Sequence, residues 1–414
     1  MSRSVFTKIR RYVRGRDLWD LFKILLSCPC GKLLRLFRPH IWLVSERAAE
    51  ARDNGFWLFR YIRENHPELP VYYPICWDSA DYPRIEALGQ AIRYGSFRHH
   101  VYFWAAEKNI SAHVGNGFPA PFMCRLFLMH GFYSFQNIFL QHGIVKDILP
   151  FLMADVNRID LFICSTRAEA EAVARDMGYA PERIACVGLC RYDGLMDFKV
   201  HAGQILLMPT WRWYLEPAYG SRGKEAEEKI RHSLYVQTYN VLLADRRLHR
   251  LLEENDLTLL FCPHAQMQPY LGAFESVCDR IRILSQKEYD VQTLLRESAL
   301  LITDYSSVFF DFAYMRKPLL YFQFDYAEFR EKHYPEGYFH YDRDGFGPIV
   351  KTVDELVEAL SETCRNGCTM PARYRERADA FFDYHDTDCC RRNFEVIRDF
   401  ALPHERRPKA RDND

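Results

Sequence analysis

The stretch Leu300-Leu301-Ile302-Thr303-Asp304-Tyr305-Ser306-Ser307-Val308-Phe309-Phe310-Asp311-Phe312 constrains the fold of this 414-residue chain more than any other. An apolar run of strand type meets a polar turn, and apolar residues then resume at helical spacing until Lys317-Pro318 stops them. Leu319 to Phe324 follows as a second apolar run. The unit is therefore β-α-β, with its polar turn at the carboxyl end of a strand, the edge where open α/β sheets bind ligands. The first N–H groups of a helix have no internal partner and carry the positive end of its dipole, so Ser306 and Ser307 stand where a phosphate would be held. Plain N-capping accounts for one of the two serines.

At 48% hydrophobic and 27% charged residues the chain reads as folded, and its length accommodates two domains with a core each. Strand-length apolar runs are expected near Ile41 to Val44, Val71 to Ile75, His100 to Trp104, Asn137 to Leu140, Leu161 to Cys164 and Ile184 to Val187. A helix is expected from Arg167 to Met177, capped by Ser165-Thr166. Past the loop Cys190 to Gly203, strands are expected at Ile205 to Met208, Leu257 to Cys262, Ile281 to Leu284, Leu300 to Thr303 and Leu319 to Phe324. Helices such as Glu225 to Leu243 and Val291 to Glu297 separate them. Such alternation predicts an α/β fold of two Rossmann-like, doubly wound parallel-sheet domains facing a cleft. The expected bounds are 39–197 and 198–400, between a basic segment 1–38 and a charged tail 401–414.

Formal net charge is zero, but its placement is uneven. Residues 1–40 hold ten Lys or Arg (Arg3, Lys8, Arg10, Arg11, Arg14, Arg16, Lys23, Lys32, Arg35, Arg38) against Asp17 and Asp20. Leu18, Leu21, Phe22, Leu25 and Leu26 recur at helical spacing there, interrupted by Asp20, Lys23 and Lys32, so this segment does not span a bilayer. Two readings stand: a basic amphipathic helix lying on an anionic membrane surface, or a first helix packed on the core. No basic stripe interleaved with aromatics points to nucleic acid. The 13 cysteines are scattered and none form C-x-x-C, which favours free thiols in a reducing compartment. No Cys/His set has zinc spacing and Asp342-Arg343-Asp344-Gly345 lacks the later ligands of a calcium loop, so no metal site is expected. A phosphate-binding G-x-x-x-x-G-K-[ST] is absent, and Gly115-Asn116-Gly117 lacks the rest of a dinucleotide fingerprint.

Several expected strands of the second half end in polar groups: Pro209-Thr210-Trp211-Arg212, Pro263-His264, and the Asp304-Tyr305-Ser306-Ser307 turn. In a parallel sheet these ends share one edge, and an Arg fork, an imidazole and hydroxyls gathered there would suit a diphosphate. Singly, each is more often a solvated arginine, a surface histidine or a helix cap; their common register raises the odds. In the first half, Asn137 to Leu140 runs into Gln141-His142-Gly143, where the glycine permits a close turn and His142 has the chemistry of a general base.

Taken together, Thr303 to Phe312, His142-Gly143, Pro209 to Arg212 and His264 resemble the CDP-glycerol glycerophosphotransferases that build teichoic acids and related capsular polymers. The resemblance runs from roughly Pro39 to Ala378. It implies a GT-B-like fold with the acceptor in the first domain and the donor nucleotide in the second, and peripheral attachment to the cytoplasmic face of the cell membrane. It implies transfer of a polyol phosphate from CDP-glycerol, or CDP-ribitol, to a hydroxyl of a membrane-linked acceptor, releasing CMP. No cofactor is implied; a divalent ion is left open. The catalytic set implied is His142, His264 and Asp304: His142 as the base, His264 on the diphosphate, Asp304 orienting the turn. Donor contacts would come from Thr210, Arg212, His264, Ser306, Ser307 and Asp325. Where family polymerases read His-Gly-Thr-Pro, this chain has His142-Gly143-Ile144-Val145. A nucleotide-sugar glycosyltransferase or sugar-nucleotide epimerase shares the two-domain plan, and an inactive membrane-surface scaffold is the rival of another class.

Overall fold

The computed structural model describes residues 15–196, 199–215, 224–285 and 289–401. Two parallel sheets form the two lobes. The first has seven strands: β1 (Trp42–Ser45), β2 (Val71–Ile75), β3 (Ala91–Arg93), β4 (Lys108–Ser111), β5 (Gln136–Phe139), β6 (Leu161–Cys164) and β7 (Ile184–Cys186), in the order 3-2-1-4-5-6-7. The second has six: β8 (His201–Leu207), β9 (Thr258–Phe261), β10 (Ile281–Ile283), β11 (Ser298–Thr303), β12 (Leu319–Phe322) and β13 (Ile349–Val350), in the order 10-9-8-11-12-13. This is the pair of doubly wound domains that the alternation of elements led us to expect, in the GT-B-like arrangement that the resemblance implied. Helices cover both faces of each sheet, so β1, β6, β11 and β12 are buried throughout and read as continuous apolar runs.

The central strand β4 breaks that pattern and was not foreseen. Its sequence, Lys108-Asn109-Ile110-Ser111, is buried yet half polar. Cross-strand pairing explains this: Lys108 lies opposite Gln136 and Asn109 opposite Asn137. Lys108 Nζ donates to Gln136 Oε1 at 2.6 Å and to the Phe400 carbonyl at 3.2 Å, and Asn109 Nδ2 donates to Asn137 Oδ1 at 3.0 Å. The expected strand His100 to Trp104 is instead part of a helix, Phe97–Ala105, whose cap Ser96 accepts from the His99 N–H at 3.2 Å. Its apolar run belongs to a helix face turned inward, which short runs cannot distinguish from a strand. The expected helix Glu225 to Leu243 is broken into Lys224–Arg231 and Leu234–Leu243, because Ser233 caps the second.

Two further departures bear on the lobes. The final helix, Cys389–Asp399, returns to the first lobe, where Cys390, Phe394 and Ile397 share a core with Trp42, Leu58 and Val71. The second lobe therefore does not run unbroken to residue 400, a correction that follows from this helix's apolar face. At the other end, the helix Gly15–Phe37 packs one face on the first lobe. Ile24 is fully buried and its carbonyl accepts from Trp104 Nε1 at 3.0 Å, while Gly31 admits the Phe97–Ala105 helix so closely that a Cβ there would lie 2.3 Å from that of Trp104. The opposite face leaves Leu18, Trp19, Phe22, Leu25 and Leu26 exposed. Among the described residues no helix is long and apolar enough to cross a membrane. The basic cluster Arg3 to Arg14 and the tail from 402 lie outside the described residues.

Truncating Ile397 to Ala is expected to destabilise the first lobe by about 2–5 kcal/mol, the ordinary cost of a buried cavity. Denaturant unfolding followed by intrinsic tryptophan fluorescence would detect it; an unchanged midpoint would contradict the docking of this helix.

Candidate active site

Strand order reverses between β1 and β4 in the first lobe and between β8 and β11 in the second, and the segments leaving these strands meet across the cleft. From the first lobe come Arg47 after β1, His113 after β4 and Gln141-His142-Gly143 after β5. From the second come Thr210 to Arg212 after β8, His264 after β9 and Asp304 to Ser307 after β11. The lobes touch at this point: a Cβ added to Gly143 would lie 2.7 Å from Ser307 Oγ. Ser307 occupies the cap position of the helix Val308–Tyr314, but its hydroxyl makes no capping bond.

His142 has a side chain 60% exposed to the cleft, and its Nδ1 lies 2.5 Å from Asp53 Oδ2. Burial alone would raise the Asp53 carboxyl, but the neighbouring Arg191 guanidinium and the hydrogen-bonded His142 ring outweigh it and hold the group well below the usual carboxylate range. An ionised Asp53 accepts a hydrogen bond, so the proton sits on Nδ1 and the Nε2 lone pair is left for the cleft. Asp53 is fixed in turn as the cap of the helix Asn54–Asn65 and by Arg191 Nη1 at 2.9 Å. Behind the dyad, the His113 ring lies 4.5 Å from that of His142; burial, with the His142 charge, pushes its imidazole down to about 3. Ile144 and Val145, where the chain departs from the family's Thr-Pro, are both buried. That substitution is taken up by packing.

On the second lobe, Arg212 is fully buried and cannot reach a diphosphate in the cleft. Its Nε and Nη2 donate to Asp325 at 2.7 and 3.0 Å, Nη1 donates to the Thr210 carbonyl at 2.7 Å and lies 2.9 Å from Asp304 Oδ2, and the Tyr305 ring covers it at 4.8 Å. Asp325 is thereby removed from the nucleotide or polyol, and the buried Asp304 from any contact with substrate. Asp304 Oδ1 instead accepts from the Thr210 N–H at 2.8 Å and the Tyr305 N–H at 2.5 Å, shaping the turn that presents Ser306 and Ser307. The expected contacts of Arg212 and Asp325 are corrected to a structural ion cluster beneath the site, while Asp304 holds the turn as expected of it. Thr210 contributes its backbone to that cluster. His264 does face the cleft: its Nδ1 accepts from the Gln266 N–H at 3.3 Å, which leaves Nε2–H to donate. Crowding, then the charges of Arg47 and His142, push its imidazole below the ordinary range.

Sequence reasoning missed Asp53, His113, Arg191 and Arg47. Arg47 is half-exposed, with Nη1 3.3 Å from Glu50 Oε1, and its charge is felt by both His113 and His264, whereas Arg212 is buried. Asp53, His113 and His142 offer ligand atoms within 4.8 Å of one another, a set able to hold a metal ion. The guanidinium on Asp53 opposes a cation there, and the short Asp53–His142 contact is that of a hydrogen-bonded dyad.

Replacing Arg212 by Met should cost about 3–5 kcal/mol of folding stability, because two buried carboxylates lose their counter-charge; a melting temperature equal to wild type would refute this assignment. The depressed Asp53 contributes stability that is present above its unfolded value of about 3.9 and lost as pH falls. The gap in melting temperature between wild type and Asp53→Asn should therefore narrow from pH 7 down to below about pH 4.

Residues 32–398 match the family described as CDP-Glycerol:Poly(glycerophosphate) glycerophosphotransferase. The chain is 32% identical over 364 residues to the minor teichoic acid biosynthesis protein GgaB of Bacillus subtilis (strain 168), covering 87% of this chain and 40% of that protein. It is also 32% identical over 403 residues to the teichoic acid poly(glycerol phosphate) polymerase of the same strain, covering 91% of this chain and 50% of the polymerase. The chain thus spans half or less of the length of these relatives. In fold it is similar to the wall teichoic acid polymerase TagF, with a TM-score of 0.67 at 19% identity over 96% of this chain and 98% of the other. The chain belongs to the CDP-glycerol:poly(glycerophosphate) glycerophosphotransferase family.

Proposed function

We propose that this chain transfers a polyol phosphate, glycerol phosphate foremost, from a CDP-activated donor to a hydroxyl of a membrane-linked, teichoic-acid-like or capsular acceptor. The observation that carries the reading is the His142–Asp53 dyad on one lobe, set against the Ser306-Ser307 turn of the other through the Gly143–Ser307 contact. In the reaction, His142 Nε2 takes the proton of the acceptor hydroxyl as its oxygen attacks the polyol-bearing phosphorus. The bond from that phosphorus to the bridging oxygen breaks, and CMP leaves with the electron pair. The imidazolium formed is stabilised by the Asp53 carboxylate. His264 Nε2–H, the hydroxyls of Ser306 and Ser307 and the Arg47 guanidinium are the donors proposed for the diphosphate. Positioning and charge stabilisation would supply most of the acceleration, with the base adding about 10²- to 10⁴-fold.

The membrane part of the reading rests on the first lobe's surface. The helix Gly15–Phe37 exposes Leu18, Trp19, Phe22 and Leu25, and the helix Pro121–Met129 that it touches exposes Phe122, Leu126 and Met129. An apolar face of this size beside Lys23 and Arg35 suits the interface of an anionic inner leaflet, at the cytoplasmic face of the cell membrane.

Incubating the protein with CDP-glycerol, CDP-ribitol and UDP-sugars and identifying the released nucleotide tests the activity. CMP from a CDP-polyol is expected; UDP release instead would favour the glycosyltransferase reading, and an epimerised UDP-sugar the epimerase reading. His142→Ala should lower turnover by at least about 10²-fold, and Arg47→Ala should raise the donor KM with an unchanged melting temperature. In flotation with vesicles, binding to anionic phosphatidylglycerol over neutral phosphatidylcholine, and its loss in Trp19→Glu, is expected; equal behaviour of the variant would remove the membrane assignment.

A further inference from the structure

Arg191 belongs to neither set of groups just described, yet it joins them. Its guanidinium is buried and makes four hydrogen bonds. Nε and Nη2 donate to the two oxygens of Asp311 at 2.6 and 2.9 Å, and Nη1 donates to Asp53 Oδ1 at 2.9 Å and to the backbone carbonyl of His142 at 2.6 Å. Asp311 is buried in the first turn of the helix that Ser307 caps, on the second lobe. Asp53 and His142 are the dyad of the first. The attachment is reinforced from the backbone: the Arg191 N–H donates to Asn54 Oδ1 at 3.0 Å, and Asn54 Nδ2 donates to the Gln141 carbonyl at 2.8 Å. Gln141 sits at a φ of +65°, a left-handed conformation unusual for a residue with a side chain, so the loop carrying His142 is held in a shape it would not adopt unaided.

We propose that Arg191 is a positioning residue that couples the two lobes, so that the base at 142 is correctly placed only while the donor-lobe helix is docked through Asp311. The proposal rests on the transferase reading and adds to it a dependence of the chemical step on a carboxylate that touches neither substrate nor base. A planar fork is required: one edge of the guanidinium, Nε and Nη2, serves Asp311 in bidentate fashion while Nη1 reaches the dyad, which the point charge of a lysine cannot reproduce. Since nothing in the clamp faces the cleft as a donor ligand, its loss should act on kcat and leave donor affinity alone.

The test uses Asp311→Asn and Arg191→Lys in the full chain. Expected for each is a fall in kcat of roughly ten- to hundred-fold, the effect of a small misplacement of a reacting group. The dissociation constant for CDP-glycerol, from calorimetry, should stay within about two-fold, and amide hydrogen exchange across residues 141–144 should quicken. Combining Asp53→Asn with Asp311→Asn should cost less than the product of the single losses, because both act through Arg191. A folded Asp311→Asn or Arg191→Lys with wild-type kcat, multiplicative losses in the double variant, or unchanged exchange at 141–144 would overturn the proposal. Should the wild type release no CMP, the transferase reading falls by itself, and the exchange measurement still decides whether Asp311 holds the loop.

Discussion

A single buried guanidinium, that of Arg191, links the elements on which the site depends. Withdrawing such a group from water is expensive, and it is tolerated only where carboxylates and carbonyls satisfy its N–H groups in good geometry. Here two carboxylates from different lobes and one loop carbonyl do so. The same contacts keep Asp53 ionised, which in turn fixes the tautomer of His142. The conformation of the His142 loop and the protonation pattern of the dyad are therefore tied to one arrangement of charge that also crosses between the lobes.

A second buried arginine divides the work differently. Arg212 lies beneath the donor-side turn, with its charge balanced by Asp304 and Asp325 and its plane covered by Tyr305. The ion cluster gives the turn its shape and takes no part at the surface. What faces the cleft is a milder set of groups: two imidazoles, one on each lobe, two serine hydroxyls and the half-exposed guanidinium of Arg47. A site of this kind offers an anion hydrogen bonds in fixed directions with little fixed charge of its own, the character that the proposed diphosphate site calls for.

Legibility in the sequence followed the physics of burial. Strands covered on both faces must be apolar, so β6, β11 and β12 stood out as runs, and the capped alanine-rich helix Arg167–Met177 emerged with both ends right. β4 was lost because its polar residues are satisfied by polar residues on β5, a cross-strand relation that no single segment displays. His142, His264 and the two serines were expected at the ends of strands, and the structure places them there. Arg212 and Asp325 had the same placement and the opposite fate, because a residue's position along a strand says which edge it is near and not whether its side chain turns into the cleft or back beneath it.

What the sequence determined by itself was the alternation of strand and helix, and with it two parallel sheets whose carboxyl edges carry the polar turns, since hydrophobic period and turn chemistry are local properties. Only the tertiary structure decided that Asp53, distant in the chain, orients His142, that Arg191 spans the lobes, and that the helix Cys389–Asp399 closes the core of the first lobe rather than the second. Those outcomes depend on which charges and apolar faces meet after long loops have closed, and the strength of such pairings is set by burial and partner geometry, which exist only once the chain is folded.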